Sequence, residues 1–197
     1  MSQIKLKHSG GNSVIIAAPD SNPASDRTLK LPSNADGTVL TTTNPKQGSI
    51  IQVQHAFKKD STTIAANSGF TAISGLSKSI TMSNANNKII ILVTISYAQS
   101  GFYFAYFKLY DGSSEITDAT STGGTGAFIS NFFHPQTITN CLIQVSGAYE
   151  FSPNDTNQHT INVYGDPQQG TLSINRRDSS ASLITSTSSL TLMEVAA

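Results

Sequence analysis

The chain has 197 residues, with 12 basic and 12 acidic side chains, so its formal net charge is zero. Only 12% of it is charged, about half the usual globular share, which argues against a nucleic-acid-binding arm or a basic membrane-seeking patch, since each needs a charge excess. Cys141 is the single cysteine and tryptophan is absent, so no intrachain disulfide forms; no apolar run reaches the length of a membrane span or the core of a signal peptide, and the expectation is a soluble protein made in a cytoplasm.

The first 47 residues hold four very short strand candidates, Ile4-Lys7, Val14-Ala17, Thr28-Leu31 and Thr38-Thr42. Turn-forming clusters divide them: Ser9-Asn12, Pro19-Pro23 and Pro32-Gly37. So few large apolar side chains cannot build an independent core. The region is then either disordered or paired with another chain; regular spacing is unlike a low-complexity tail and favours pairing, with Leu29, Leu31, Val39 and Leu40 as the anchor.

Residues 48–197 read as one head domain. Apolar residues there alternate or come in short runs bounded by Gly, Pro, Asn, Ser and Asp, the all-β pattern. The expected strands are Ser49-Ala56, Leu76-Met82, Lys88-Tyr97, Phe102-Tyr110, Ala127-Phe133, Cys141-Tyr149, Thr160-Tyr164, Thr171-Asn175 and Leu190-Val195. Strands at this spacing suit a two-sheet sandwich, a jelly roll by expectation, although pattern alone does not separate it from an immunoglobulin-like sandwich.

Two neighbouring strands are greasy on both faces. Lys88-Ile95 is apolar at almost every position, and Phe102-Tyr110 sets Phe102, Phe104 and Tyr106 on one face and Tyr103, Ala105, Phe107 and Leu109 on the other. A sandwich strand needs only one buried face. A second copy of the chain is the economical cover for the other, and Ile89, Ile91, Phe102, Phe104 and Tyr106 are the expected interface residues.

The stretch Ala24-Pro32 followed by Gly37-Thr42 resembles a phrase common in bacteriophage fibre proteins: a small-residue turn, an R-T-L-x-L-P strand, a D-G-T turn and a second strand. Lys46-Val53, Phe70-Leu76, Asn87-Ile89 and Leu190-Val195 are similar to short virion proteins of marine phages, especially those infecting cyanobacteria. The resemblance implies a virion structural protein, a short homotrimeric fibre or knob in host-surface attachment, with an N-terminal part that contacts other virion proteins and a head like the trimeric jelly rolls of the tumour necrosis factor superfamily. A capsid decoration or head fibre is the alternative within the virion, and a soluble carbohydrate-binding lectin the alternative outside it.

No catalytic or metal constellation is legible, and no cofactor is expected. His8, His55, His134 and His159 are scattered singly, without a partner at metal-ligand spacing. Cys141 opens a strand and reads as a small apolar core residue. Gly123-Gly126 lacks the strand, Lys-Ser/Thr pair and helix of a phosphate loop. Polysaccharide-cleaving spikes are long β-helices, which this chain is too short to form, so an enzyme is not expected. Recognition on a rigid sandwich falls to its loops. Asp111, Ser113, Asn154, Asp155 and Asn157 are the receptor-contact candidates, a host glycan being the expected ligand. Lys58-Lys59 and Arg176-Arg177 are isolated pairs on solvated faces.

Overall fold

Period-two alternation becomes strand at nearly every place it occurs. The structure is a computed structural model that describes residues 3–7, 9–11, 13–17, 45–100, 103–121, 126–133, 142–177 and 186–197. Two compact units divide the chain, Met1–Val39 and Leu40–Ala197. In the first, β1 (Gln3–Lys7) and β2 (Ser13–Ala17) pair antiparallel with each other, from Gln3 opposite Ala17 to Lys7 opposite Ser13. One partner of each is therefore supplied within the chain. The expected strands Thr28-Leu31 and Thr38-Thr42, and with them Leu29, Leu31, Val39 and Leu40, lie outside the described residues.

The second unit carries β3 (Ile50–Lys58), β4 (Thr62–Ala65), β5 (Thr71–Thr81), β6 (Lys88–Gln99), β7 (Tyr103–Asp111), β8 (Ser114–Glu115), a 3₁₀ turn (Thr117–Ala119), β9 (Ile129–Phe133), β10 (Ile143–Phe151), β11 (Gln158–Pro167), β12 (Thr171–Ile174) and β13 (Ser188–Val195). β6 pairs along one edge with β10 and along the other with β13 and then β12; β13 continues to β3, and β12 to β4. The second sheet runs β5-β11-β7, with β9 and β8 sharing the far edge of β7. Merging the split strands leaves eight, ordered 1-8-3-6 and 2-7-4-5, so that first pairs with last, second with seventh, and so inward. That nested pairing is a jelly roll. An immunoglobulin sandwich orders its strands otherwise.

Ile64, Ile73, Leu76, Ile80, Ile89, Ile91, Val93, Ile95, Phe107, Leu109, Ile161, Val163, Leu172, Leu190 and Leu192 fill the space between the sheets. Each contributes about 1.5–3 kcal/mol of burial relative to leaving it in water. Tyr97 meets Phe107 edge-on at 5.3 Å between ring centroids. At Gly75, φ +84°, β5 bulges and its register on β11 slips by three residues, Ser77 lying opposite Asn162 but Ala72 opposite Tyr164. Ile73 and Leu76, three apart rather than two, thereby both face inward, and the pairing with β11 shifts between Asn162 and Tyr164. The sequence reading began this strand at Leu76 because the bulge breaks the alternation there.

The split in the first sheet is braced by polar groups. Asn175, at φ +59°, follows β12 and donates from Nδ2 to the carbonyls of Lys58 and Asp60 at 2.9 and 3.0 Å. Its Oδ1 accepts from Ser188 Oγ at 2.6 Å, and Ser188 Oγ accepts from the Ser96 amide. The buried Lys58 side chain emerges at Asp60 Oδ1, 3.0 Å away.

Candidate functional site

Which side of a sheet faces water is decided strand by strand, and β3 runs against the usual rule. Its inward positions are Gln52, Gln54, Ala56 and Lys58, whereas its outward positions include Val53, His55 and Phe57. Two of the polar inward residues are bonded: Gln52 Nε2 donates to Glu194 at 2.6 Å and to the Thr81 carbonyl, and Lys58 Nζ to Asp60 Oδ1 at 3.0 Å. Register then lays three rows across the outer face of the first sheet. They read Val53, Met193, Ile90, Glu150; His55, Thr191, Leu92, Ala148; and Phe57, Ser189, Thr94, Ser146. Ile50, Val53, Phe57 and Leu92 are 57%, 53%, 49% and 39% exposed. His55 is the one titratable side chain in the middle of these rows, and Lys88 pairs with Glu150 at the margin. Six of these twelve positions are apolar; the exposed Val53, Phe57 and Leu92 stand among hydroxyl side chains with charge at the margin, a mixed surface of the kind protein interfaces share.

The outer face of the second sheet differs. Phe104 and Tyr106 stack there at 5.7 Å and are half-buried. Tyr110 lies against Tyr164 at 4.0 Å, and Lys108 reaches Glu115 at 2.9 Å and stands over the Phe70 ring. Asp166 lies opposite Tyr106, and burial pushes its carboxyl above the usual range. This face is aromatic but already furnished with charge and local contacts.

The expected interface set is thus dispersed. Ile89 and Ile91 are fully buried and point between the sheets, so they are core and not interface; their neighbours Ile90 and Leu92 are the outward pair. Phe104 and Tyr106 lie on the other sheet, and Phe102 is outside the described residues. Val53, Phe57 and Met193, which sequence reasoning passed over, join Leu92 on the free face. The inverted alternation of Ile50-Lys58 was the available signal.

The loop candidates come together at one end of the sandwich through a residue that sequence reasoning set aside. His159, buried at the start of β11, has Nδ1 2.6 Å from Asp111 Oδ2 and Nε2 3.0 Å from Asp155 Oδ1. Asp111 Oδ1 also accepts the Thr160 amide, and Asp155 Oδ1 the Asn157 amide at 2.7 Å. Asn154, at φ +62°, donates to the Ser152 carbonyl. Ser113 is exposed in the turn after β7. A carboxylate on each ring nitrogen favours the doubly protonated ring, since both nitrogens then donate. Burial opposes that charge, but the hydrogen bonds and charges of Asp111 and Asp155 outweigh it, and the imidazole titrates above its usual range. The Asn157 amide and His159 hold Asp155 below the usual carboxylate range.

A raised histidine value means that the clasp stabilises fully below the ordinary histidine pKa of about 6.5 and is lost as pH rises through the raised value. A lowered Asp155 value means that its share is present above about 3.9 and is lost as pH falls through the lowered value. Amide protection at Asn157 and Thr160, taken relative to the intrinsic exchange rate at each pH, is therefore expected to be greatest between these limits, and His159→Gln to remove its loss at alkaline pH; an unchanged alkaline loss in the variant contradicts the assignment.

Among the described residues, no group of three or more His, Cys, Asp or Glu side chains is arranged to hold a metal, and no helix is long and apolar enough to cross a membrane. No family model and no curated protein matches the chain. Among solved structures, a chain from the structure of infectious bursal disease virus Gx strain aligns with 94% of this chain and 49% of its own length, at 12% identity and a TM-score of 0.37. The chain spans about half the length of that one.

Proposed function

We propose that this chain is a virion structural protein, a short homotrimeric fibre or knob, assembled through the outer face of the β3-β13-β6-β10 sheet. The observation that carries the assembly is the inverted strand β3, which turns Val53 and Phe57 to water and glutamines inward. A lone sandwich gains nothing from that arrangement, while an assembly buries it. The virion setting is supported by the likeness of Ala24-Thr42, Lys46-Val53 and Leu190-Val195 to phage fibre and marine phage virion sequences. In this reading the N-terminal unit docks to other virion proteins. The loops joined by His159 stand at one end of the sandwich, where a rigid and hydroxyl-rich surface suits a host glycan.

The test is made on particles. Antibody labelling is expected to place the chain on the particle surface, and a chain lacking residues 1–47 is expected to fold but to be missing from purified particles. Normal incorporation of the truncated chain contradicts the anchoring role. Absence of the full chain from particles, together with glycan binding in solution, favours a lectin.

A further inference from the structure

The free face of the first sheet is unequal at its two edges. The β3 edge carries large side chains, with Phe57 held upright between His55, stacked at 6.0 Å, and Lys59, whose Nζ lies 5.6 Å from the ring centroid. The β10 edge carries Gln144, Ser146 and Ala148 outward. There the surface dips into a shallow groove of about 410 Å³ lined by Leu92, Val93, Thr94, Ser146, Gly147 and Ala148. The glycine sets β10 low: a Cβ on Gly147 would meet Phe128 Cζ at 2.7 Å and Ile129 Cδ1 at 2.9 Å, so the core packs directly beneath that backbone. Phe57 finds no cover in its own row, since Ser189, Thr94 and Ser146 are all short.

We propose that Phe57 of one copy seats in the β6-β10 groove of the next, so that the large-residue edge of each sandwich meets the small-residue edge of its neighbour around a closed ring. The inference rests on the trimeric reading above, in which every contact joins two different patches. The groove has the Val93 and Gly147 backbone as its floor and Leu92, Ala148 and the hydroxyls of Thr94 and Ser146 as its sides, and a large aromatic seated in a recess is a common interface anchor. The occupant is a second copy because that edge is present on every copy. The chain's net charge is zero and the face holds only His55 inside its rim, so copies meet without repulsion.

The test is site-directed cross-linking of the full chain in a Cys141→Ser background. His55→Cys, beside Phe57 on the same outward edge, and Ala148→Cys are combined so that Phe57 itself is kept, treated with a short bismaleimide and run under denaturing conditions. Both positions face outward, so the fold tolerates them. The expected product is a covalent trimer, with neither single variant giving more than monomer. Cross-linking that stops at dimer means a two-fold arrangement and overturns the ring. A native trimeric mass without cross-links leaves the trimer standing and overturns the Phe57 contact. A monomeric mass without cross-links removes both, and assigns the groove to another protein. As a second variant, Ala148→Trp fills the groove and is expected to shift the native mass from trimer to monomer; a retained trimer overturns the contact.

Discussion

Leu92→Asp is expected to convert the proposed trimer to a folded monomer, its mass falling from about 62 kDa, three times the chain mass, to 20.8 kDa. Leu92 lies at the centre of the outward rows, between Thr191 and Ala148, and is 39% exposed in the single chain. An aspartate there stays hydrated in the monomer, so the sandwich keeps its strands. In the assembly the same carboxylate is dehydrated without a cation to meet it. An uncompensated buried charge costs about 3–5 kcal/mol, and it recurs in every copy around the ring. Phe104→Asp and Tyr106→Asp are the controls: both alter the second sheet and are expected to leave the mass unchanged. If they dissociate the protein and Leu92→Asp does not, the assembly uses the second sheet instead.

Glu194→Ala is expected to give the largest loss of stability of any single truncation outside the apolar core, about 3 kcal/mol. Glu194 is fully buried on β13. Its Oε1 accepts the Ser83 amide at 2.8 Å, Ser83 Oγ at 2.6 Å and Asn87 Nδ2 at 2.7 Å, and its Oε2 accepts Gln52 Nε2 at 2.6 Å. Burial works against the charge, yet the bonds from Gln52, Ser83 and Asn87 prevail and hold the carboxyl below its usual range. Removing it leaves several donors facing one another, and at roughly 2–4 °C per kcal/mol the melting point falls by about 6–12 °C. Glu194→Gln keeps one acceptor but turns an amide toward a donor, so it loses less. A lowered carboxyl value means stabilisation present above about 4.3 and lost as pH falls through the lowered value. Glu194→Gln is accordingly expected to blunt the acid limb of melting point against pH. An unshifted melting point for Glu194→Ala contradicts the role given to this network.

A two-sheet sandwich was legible as a count and spacing of strands, because Val, Ile, Thr and aromatic runs between Gly, Asn and Pro clusters write strands locally; the nested pairing that makes it a jelly roll was not. The orientation of each strand was not. Lys88-Ile95 is apolar on both faces, and that pattern does not say which face is core; Ile89 and Ile91 went to the wrong side for that reason. In β3 the ordinary rule points the wrong way, since Gln52 is inward only because Glu194, 142 residues later, is there to bond it. His159 had no partner at metal-ligand spacing and read as a single, scattered histidine. Its partners are Asp155, four residues back, and Asp111, 48 back, and only the pairing of β7 with β11 brings the second one near. Local chemistry was visible; long-range pairing was not.

The assembly is tested most directly by light scattering of the full chain on a sizing column, at neutral pH and moderate salt. A mass of about 62 kDa is the predicted result, since it corresponds to three 20.8 kDa chains closing on themselves. A mass of 20.8 kDa contradicts it, for the apolar face of the first sheet then stands open to water with no copy of the chain to cover it.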